Sequence, residues 1–515
     1  MSKFSKRPRS RRAIHRIRLA VALTALTALI LVPGALPAHA ATPPALKLIS
    51  VDSDMTILRH SAGISIPASP SVYVASMNGD FEIRATRADY DSPIELEQWI
   101  DGGAQIVPLP SDMADGFRGL SDFLHVTVKD ASNNTVYDKS QTFCPASGTR
   151  QRVDDSGPQV SRFPTYGCGG NPFTIGSVWG IDHGWAAGAL GDVSFGYYGY
   201  YGYGGIPGTD SRFSAPDGVY TIHVAIPQAY IDQFGINPDD ANVTVTLTIK
   251  TKKTCSYICT DMSEMRSMRN QDVETPGPRV PIDLNPDPST LPDLIPLPAY
   301  SMHISHSKKD GHDYLRFGAD VWNDGPSGMV VEGFRQPGQP VMDGFQYFYD
   351  NGVAVGRAPA GTLMYDARPG HNHWHFQQFA NYSLLDSTQA EVVRSEKEAF
   401  CLAPTDPINL AGDGANWFPH SIGLDTACGN KDSLWTRESL DAGWGDTYYQ
   451  YLPGQSFDVT HLANGHYFVQ VSANPDGVLY ERNSANDTSL REVVLKGRKG
   501  QRKVQVLPYH GISTP

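Results

Sequence analysis

The chain has 515 residues, with 42 Lys and Arg against 54 Asp and Glu and a net charge of −12. That length suits roughly two to four domains of ~100–200 residues, and a composition 40% hydrophobic and 19% charged excludes a disordered chain. Its 49 glycines and 38 prolines exceed the usual ~12% combined share, which disfavours long helices and favours short strands joined by turns.

The charge is unevenly placed. Residues 1–40 carry eight basic residues (Lys3, Lys6, Arg7, Arg9, Arg11, Arg12, Arg16, Arg18) and no acidic ones. An apolar run, Leu19–Val32, follows, and then Pro37-Ala38-His39-Ala40. This order predicts a secretory signal peptide over 1–40, cut after Ala40. The run is 14 residues long, short of the ~20 that span a bilayer, and no later run approaches that length, so no stable membrane span is expected. Without the leader, 34 basic residues face 54 acidic ones, a net charge of −20. So acidic a body argues against nucleic acid as a partner and favours cationic ligands.

Beyond the leader the chain reads as mostly β. Alternating runs at Ser71–Ser76, Phe123–Lys129, Val219–Ile226 and Val243–Lys250 are separated by turn clusters such as Pro216-Asp217-Gly218. One or two β-sandwich modules are expected, over 41–150 and 151–263. The Tyr/Gly stretch Phe195–Gly205 reads as a loop. A proline-dense segment over 264–298 reads as an extended linker. Strand patterns return at Tyr314–Trp322 and His466–Ser472. Six cysteines in an exported chain allow three disulfides, and neighbours in sequence give Cys144–Cys168, Cys255–Cys259 and Cys401–Cys428.

The densest chemistry is His371-Asn372-His373-Trp374-His375. Positions i, i+2 and i+4 share one face of a strand, and three neutral imidazoles suit Cu²⁺ or Zn²⁺. In a straight strand the outer Cα atoms would lie ~13 Å apart, so binding one ion requires a bend, to which Gly370 could contribute.

The stretch from Gly370 to Asp386, GHNHWHFQQFANYSLLD, resembles the copper-binding segment of the lysyl oxidase family. Lys397-Glu-Ala-Phe-Cys-Leu402, Leu291-Pro-Asp-Leu-Ile-Pro296, Gly445-Asp-Thr-Tyr448 and Gly465–Pro475 are similar to further blocks of that family. The resemblance covers about 290–500, leaving 501–515 as a tail, and implies a β-sandwich catalytic domain behind the N-terminal modules. It implies copper on His371, His373 and His375. It also implies a lysine tyrosylquinone cofactor made from Lys397 and Tyr448. The lysine must lose its proton to react, and its ordinary pKa is ~10.4, so burial or a nearby cation is needed. The implied reaction uses O₂ to convert the primary amine of a peptidyl lysine or a small amine to an aldehyde, with release of ammonia and hydrogen peroxide.

Asn381 stands where animal members of the family have a histidine considered as a candidate base. That leaves Asp446, His461 and His466 as candidates, with Asp446 ranked first. The resemblance also implies a calcium site from Asp293, the Leu294 carbonyl, Glu481, Asn483, Asn486 and Asp487, all hard oxygen donors. The competing expectation is a non-catalytic extracellular binding protein whose histidines hold a structural metal.

Overall fold

A computed structural model describes residues 43–189, 212–253, 258–259, 276–368, 372–395, 397, 399–419 and 426–514. The chain is mostly β, as the turn-rich composition predicts, and the side-chain alternation explains each strand locally. In Gly218–Ala225, Tyr220, Ile222 and Val224 are buried while Val219, Thr221 and His223 face out. In Gly465–Ala473 the buried set is Tyr467, Val469, Val471 and Ala473. Among the described residues the single α-helix is Gln228–Phe234, closed by Gly235 at φ 62°, a left-handed cap that glycine adopts without a Cβ clash. No helix among the described residues is long and apolar enough to cross a membrane.

The first half is built on a six-stranded sheet. Its order is Ile258–Cys259, Asp54–Arg59, Asn242–Thr251, Gly218–Ala225, Leu120–Asp130 and Thr135–Phe143. Two four-stranded sheets accompany it, and the core they enclose includes Phe81, Phe123, Phe143 and Trp179. The Cys144–Cys168 disulfide forms as expected. The expected Cys255–Cys259 pair lies outside the described side chains, as does the Tyr/Gly stretch.

The second half has three sheets around one core. In the first, the long strand Asp313–Asn323 is hydrogen-bonded to Leu294–Pro296, Tyr300–His306, Trp444–Tyr448 and Ser456–Asp458. The second runs His373–Phe376, Val353–Asp366, Val341–Asp350, Met329–Phe334, Trp435–Leu440. The third runs Glu391–Arg394, Ala380–Leu385, Gly465–Ala473, Thr488–Lys496, Lys503–Val506. Phe317, Val321, Leu363, Trp374, Phe376, Tyr382, Phe400, Val469 and Val493 fill the space between them. Residues of the histidine strand and of the Phe400–Tyr448 region therefore share one apolar interior.

The described part of the proline-dense segment first lies along the second sheet and then enters the first as Leu294–Pro296. Arg357 donates its N–H to the Pro281 carbonyl at 3.1 Å, and Asp283 returns one to Arg357 at 2.9 Å. The two halves meet through backbone as well as side chains: Ile175 N–H reaches the Ile408 carbonyl at 2.8 Å, and Leu410 N–H reaches Gly176 at 2.9 Å. Phe163 and Val178 of the first half sit in the core of the second.

One ion pair inside the second sheet bears on the site. Arg437 meets Glu332 at 2.8 Å with side-chain exposures of 2% and 0%, and Glu332 also accepts the Gly277 N–H. Because strand side chains alternate, Arg437 facing Glu332 leaves Glu438 on the opposite face. Removing one partner strands a buried charge. Arg437→Leu should therefore lower stability by about 3 kcal/mol or more, read as a lower urea midpoint. The Arg437→Leu/Glu332→Leu double variant should lose much less, because no charge is left unpaired.

Candidate active site

The histidine strand is shorter than the five-residue motif. It runs His373–Phe376 and pairs with Leu363–Asp366, which places Asp366 opposite His373 and Met364 opposite His375. Asn372 has φ 57°, so the chain turns sharply there and no single extended strand carries the whole motif. Gly370 and His371 lie outside the described residues. The Nε2 atoms of His373 and His375 come within 2.8 Å of each other, and His375 is 2% exposed. Two such imidazole nitrogens, one buried and one half-buried, are a donor set that fits a shared cation. Asp366 Oδ2 lies 3.6 Å from His375 Nδ1, the placement by which a carboxylate orients a ligating imidazole. Arg368 in turn holds Asp366 by its guanidinium, at 2.7 Å from Oδ2.

Lys397 and Tyr448 stand together. The Lys397 ammonium nitrogen is 4.3 Å from the centroid of the Tyr448 ring and 5.0 Å from that of Phe400. Lys397 is 3% exposed. Burial brings its pKa down to about 8, with Arg368 pushing the same way against the carboxyls of Asp446, Asp366 and Glu438. Close backbone holds it there: Ser395 Oγ accepts the Lys397 N–H at 3.1 Å and donates to the Gly454 carbonyl. Gly454 has φ 85°, and a Cβ there would stand 3.1 Å from Lys397 backbone atoms, so only glycine passes this point without displacing the lysine.

Tyr448 ends the strand Trp444–Tyr448. Its hydroxyl donates to the Cys401 carbonyl at 3.0 Å and accepts the Cys401 N–H at 3.1 Å. Loss of solvent, followed by the Asp446 and Glu438 carboxyls, raises the hydroxyl pKa well above 10. Asp446, two residues back and therefore on the same strand face, is 3% exposed. Burial raises its carboxyl well above the usual range, against the pull of Lys397, and its Oδ2 has no hydrogen-bond partner.

The two parts are one rung apart. Phe376, directly after His375, exchanges both backbone hydrogen bonds with Phe400, at 2.7 and 2.9 Å. Phe400 packs edge-on against Tyr448 with centroids 5.0 Å apart. The Cys401–Cys428 disulfide forms as expected and joins the same parts, since Cys428 accepts the Trp374 N–H at 2.8 Å while Cys401 holds the Tyr448 hydroxyl. Glu438, fully buried, takes the N–H of Phe376 at 3.0 Å and that of Leu402 at 3.1 Å, one on each oxygen. Sequence reading missed Glu438 and Asp366. The available signal for Glu438 was the charged pair Arg437-Glu438 inside an otherwise strand-like run.

The other candidate residues lie elsewhere. Asn381 faces an open groove shared with Ser383, Glu391, Arg394 and Gln470, on the outer face of its sheet, while Tyr382 points inward to Phe400. His466 pairs with Glu492 at 2.6 Å on an exposed surface, and His461 packs its ring against His312.

The oxygen-rich residues partly assemble. Asn486 donates to Asp293 Oδ1 at 3.0 Å, and Glu481 accepts the Leu294 N–H at 3.2 Å. Burial, Asp487 and Asp293 raise Glu481 to about 7. Asn486 Oδ1 and Asp487 Oδ1 are buried without hydrogen bonds, oxygens that a cation would satisfy. Asn483 instead turns to the Ala485 N–H at 3.1 Å and is exposed. Among the described residues no three His, Cys, Asp or Glu side chains form a metal-binding group.

A β-sandwich domain that puts a histidine strand beside a buried lysine and the half-buried tyrosine it faces is the class defined by this geometry. Residues 347–504 match the sequence model of the lysyl oxidase family, and the chain carries a domain of that family. Protein-lysine 6-oxidase of Rattus norvegicus is 27% identical over 210 residues, covering 40% of this chain and 47% of the relative. The Sus scrofa protein of the same name is also 27% identical over 210 residues, 78% of its length. Lysyl oxidase homolog 4 of Mus musculus is 27% identical over 140 residues, 16% of its length. The chain spans about half the length of the first of these relatives.

The depressed lysine gives a direct test. In the metal-free protein, carbamylation of Lys397 by cyanate, followed by peptide mass spectrometry, should be half-maximal near pH 8. Surface lysines should reach that point near their ordinary ~10.4.

Proposed function

We propose that the chain is a secreted copper amine oxidase of the lysyl oxidase type, acting on the primary amine of peptidyl lysines or of small amines. The observation that carries this reading is the buried Lys397 amine standing 4.3 Å over the Tyr448 ring. An isolated buried lysine is costly unless its charge is lost or compensated, and an amine half neutral near pH 8 is a competent nucleophile. His371, His373 and His375 would hold the copper. When bound, copper with O₂ would supply the oxidation that converts the Lys397–Tyr448 pair to lysine tyrosylquinone, the cofactor that turns a primary amine into an aldehyde, ammonia and hydrogen peroxide.

The chain's own residues prepare for that chemistry in three ways. Desolvation leaves Lys397 about half free of its proton near pH 8. Cys401 fixes the Tyr448 hydroxyl through two hydrogen bonds, so the ring presents one face to the amine. Asp446, on the face of Tyr448 and with a strengthened basicity from burial, is placed to accept the proton from the substrate carbon next to nitrogen. The acidic body, −20 without the leader, would concentrate lysine-rich partners near the site.

Reconstitution with copper in air should give quinone absorbance and amine-dependent peroxide. Lys397→Arg and Tyr448→Phe should each reduce both to background while the circular dichroism spectrum stays that of the parent. A Tyr448→Phe protein that still turns over amine would defeat the cofactor assignment.

Asp293, the Leu294 carbonyl, Glu481, Asn483, Asn486 and Asp487 are the proposed calcium ligands, tying the start of the domain to its end. Calcium should raise the melting temperature of the parent chain and leave that of Glu481→Gln/Asp487→Asn unchanged. Equal shifts in both would remove the assignment.

A further inference from the structure

Asn171 belongs to the first half, outside the 347–504 family match, yet it reaches the strand that carries Tyr448. Its Oδ1 accepts the Phe173 N–H at 3.0 Å, which fixes the amide so that Nδ2 faces Asp320. Nδ2 donates to Asp320 Oδ2 at 2.7 Å. The same oxygen accepts from Thr447 Oγ1 at 2.9 Å. Thr447 is held further: its N–H donates to Thr405 Oγ1 at 2.7 Å, and its hydroxyl accepts from Tyr300 at 3.4 Å. Asn171, Asp320, Thr447 and Tyr300 are 5%, 1%, 5% and 5% exposed, so water does not substitute for any of these contacts.

Strand geometry links this buried cluster to the reaction centre. Asp320 sits opposite Thr447 and Ala319 opposite Tyr448 in the register. Thr447 points to the back of the strand, while Asp446 and Tyr448 point to the front. The back is tightly fitted: a Cβ on Gly445 would stand 2.2 Å from Asp320 Oδ1. It also holds a second buried carboxyl, Asp406, paired in register with Gly445. Burial raises both acids, and for Asp320 the neighbouring Asp406 adds to the rise. Asp320 Oδ1 has no hydrogen-bond partner, so Oδ2 carries the polar contacts of this carboxyl with Asn171 and Thr447.

We propose that Asn171 is a positioning residue for the Lys397–Tyr448 pair: its amide pins Asp320, Asp320 pins Thr447, and the strand so fixed presents Asp446 and Tyr448 to Lys397. The first half of the chain then forms the back wall of the reaction centre. This assignment rests on the amine oxidase reading for its consequence in catalysis and on geometry alone for its effect on Lys397.

The test uses the full chain and three variants. Asn171→Ala removes the amide that holds Asp320, and Thr447→Val breaks the next link, from Thr447 to Asp320, without touching the first half. Thr174→Val is the control. It lies at the same junction, is fully buried, and loses one hydrogen bond to the Pro407 carbonyl, at 3.2 Å. Two quantities are read with the melting temperature: the rate at which copper and air produce the Lys397–Tyr448 crosslinked peptide, and the pH midpoint of Lys397 carbamylation without metal. A small displacement at a reacting centre costs up to ~100-fold. Asn171→Ala and Thr447→Val should therefore form the crosslink about 10- to 100-fold more slowly, with Thr174→Val near the parent. The carbamylation midpoint should fall below the parent's value of about 8 in the first two variants, because the strand carries the Asp446 charge away from the amine, and should stay in place in Thr174→Val. Parent-like rate and midpoint in Asn171→Ala overturn the proposal. So does a slowing that Thr174→Val shares in proportion to lost stability. If Asn171→Ala does not fold, Asn171→Leu, which keeps the volume and removes the donor to Asp320, decides by the same two readings. If the parent itself forms no crosslink, the amine oxidase reading fails, and the carbamylation midpoints alone decide the role of Asn171.

Discussion

The structure depends on the burial of one amine. Lys397 lies under an aromatic wall made by Tyr448 and Phe400, and that position is costly for an ammonium ion. The surrounding architecture meets the cost without cancelling the effect. Asp446, Asp366 and Glu438 favour the ammonium, while desolvation and Arg368 oppose it, and the outcome is a pKa near 8. With the carboxyls nearer, the lysine would remain an inert cation. Without them, the buried side chain would lose more of the folded state's tolerance for its proton. The balance is set by three separate strands and a loop, so it exists only when all of them are docked.

Glu438 and the Cys401–Cys428 disulfide show how that docking is secured. Each connects the histidine strand to the segment around Cys401, one through two backbone N–H groups and the other covalently. Neither touches both Lys397 and the histidines, but together they leave little freedom for the histidine strand to move relative to Tyr448. Behind the same strand, Asp320 and Asn171 perform the corresponding work from the other face. The Tyr448 strand is thus clamped between a front that holds Lys397 and Asp446 and a polar, hydrogen-bonded back.

Much of the second half was legible in sequence because its signals are local. The His-x-His-x-His spacing, the alternation in Gly465–Ala473 and the ordered motif blocks each survive without knowledge of the fold. The features that sequence reading missed are those formed by residues far apart along the chain. Asp366 lies beside the histidine motif in sequence, but its relation to His375 follows from strand pairing. Glu438 is 62 residues from Phe376 and 36 from Leu402. Asn171 is 149 residues from Asp320. Asn381 illustrates the opposite case: its place in the motif made it prominent, and the period-two alternation of its strand turns it outward to a groove.

By itself the sequence determined the β-rich class and the acidic body, and neighbour pairing anticipated the two described disulfides, since composition and periodicity depend only on neighbours along the chain; Lys397 and Tyr448 became candidates through the family resemblance. The tertiary structure alone decided the distance from Lys397 to the Tyr448 ring, the state of its proton, the turn at Asn372 and the entry of the first half into the site. Those properties arise from desolvation and from contacts across sheets, and both are created only when distant segments exclude water from a common interior.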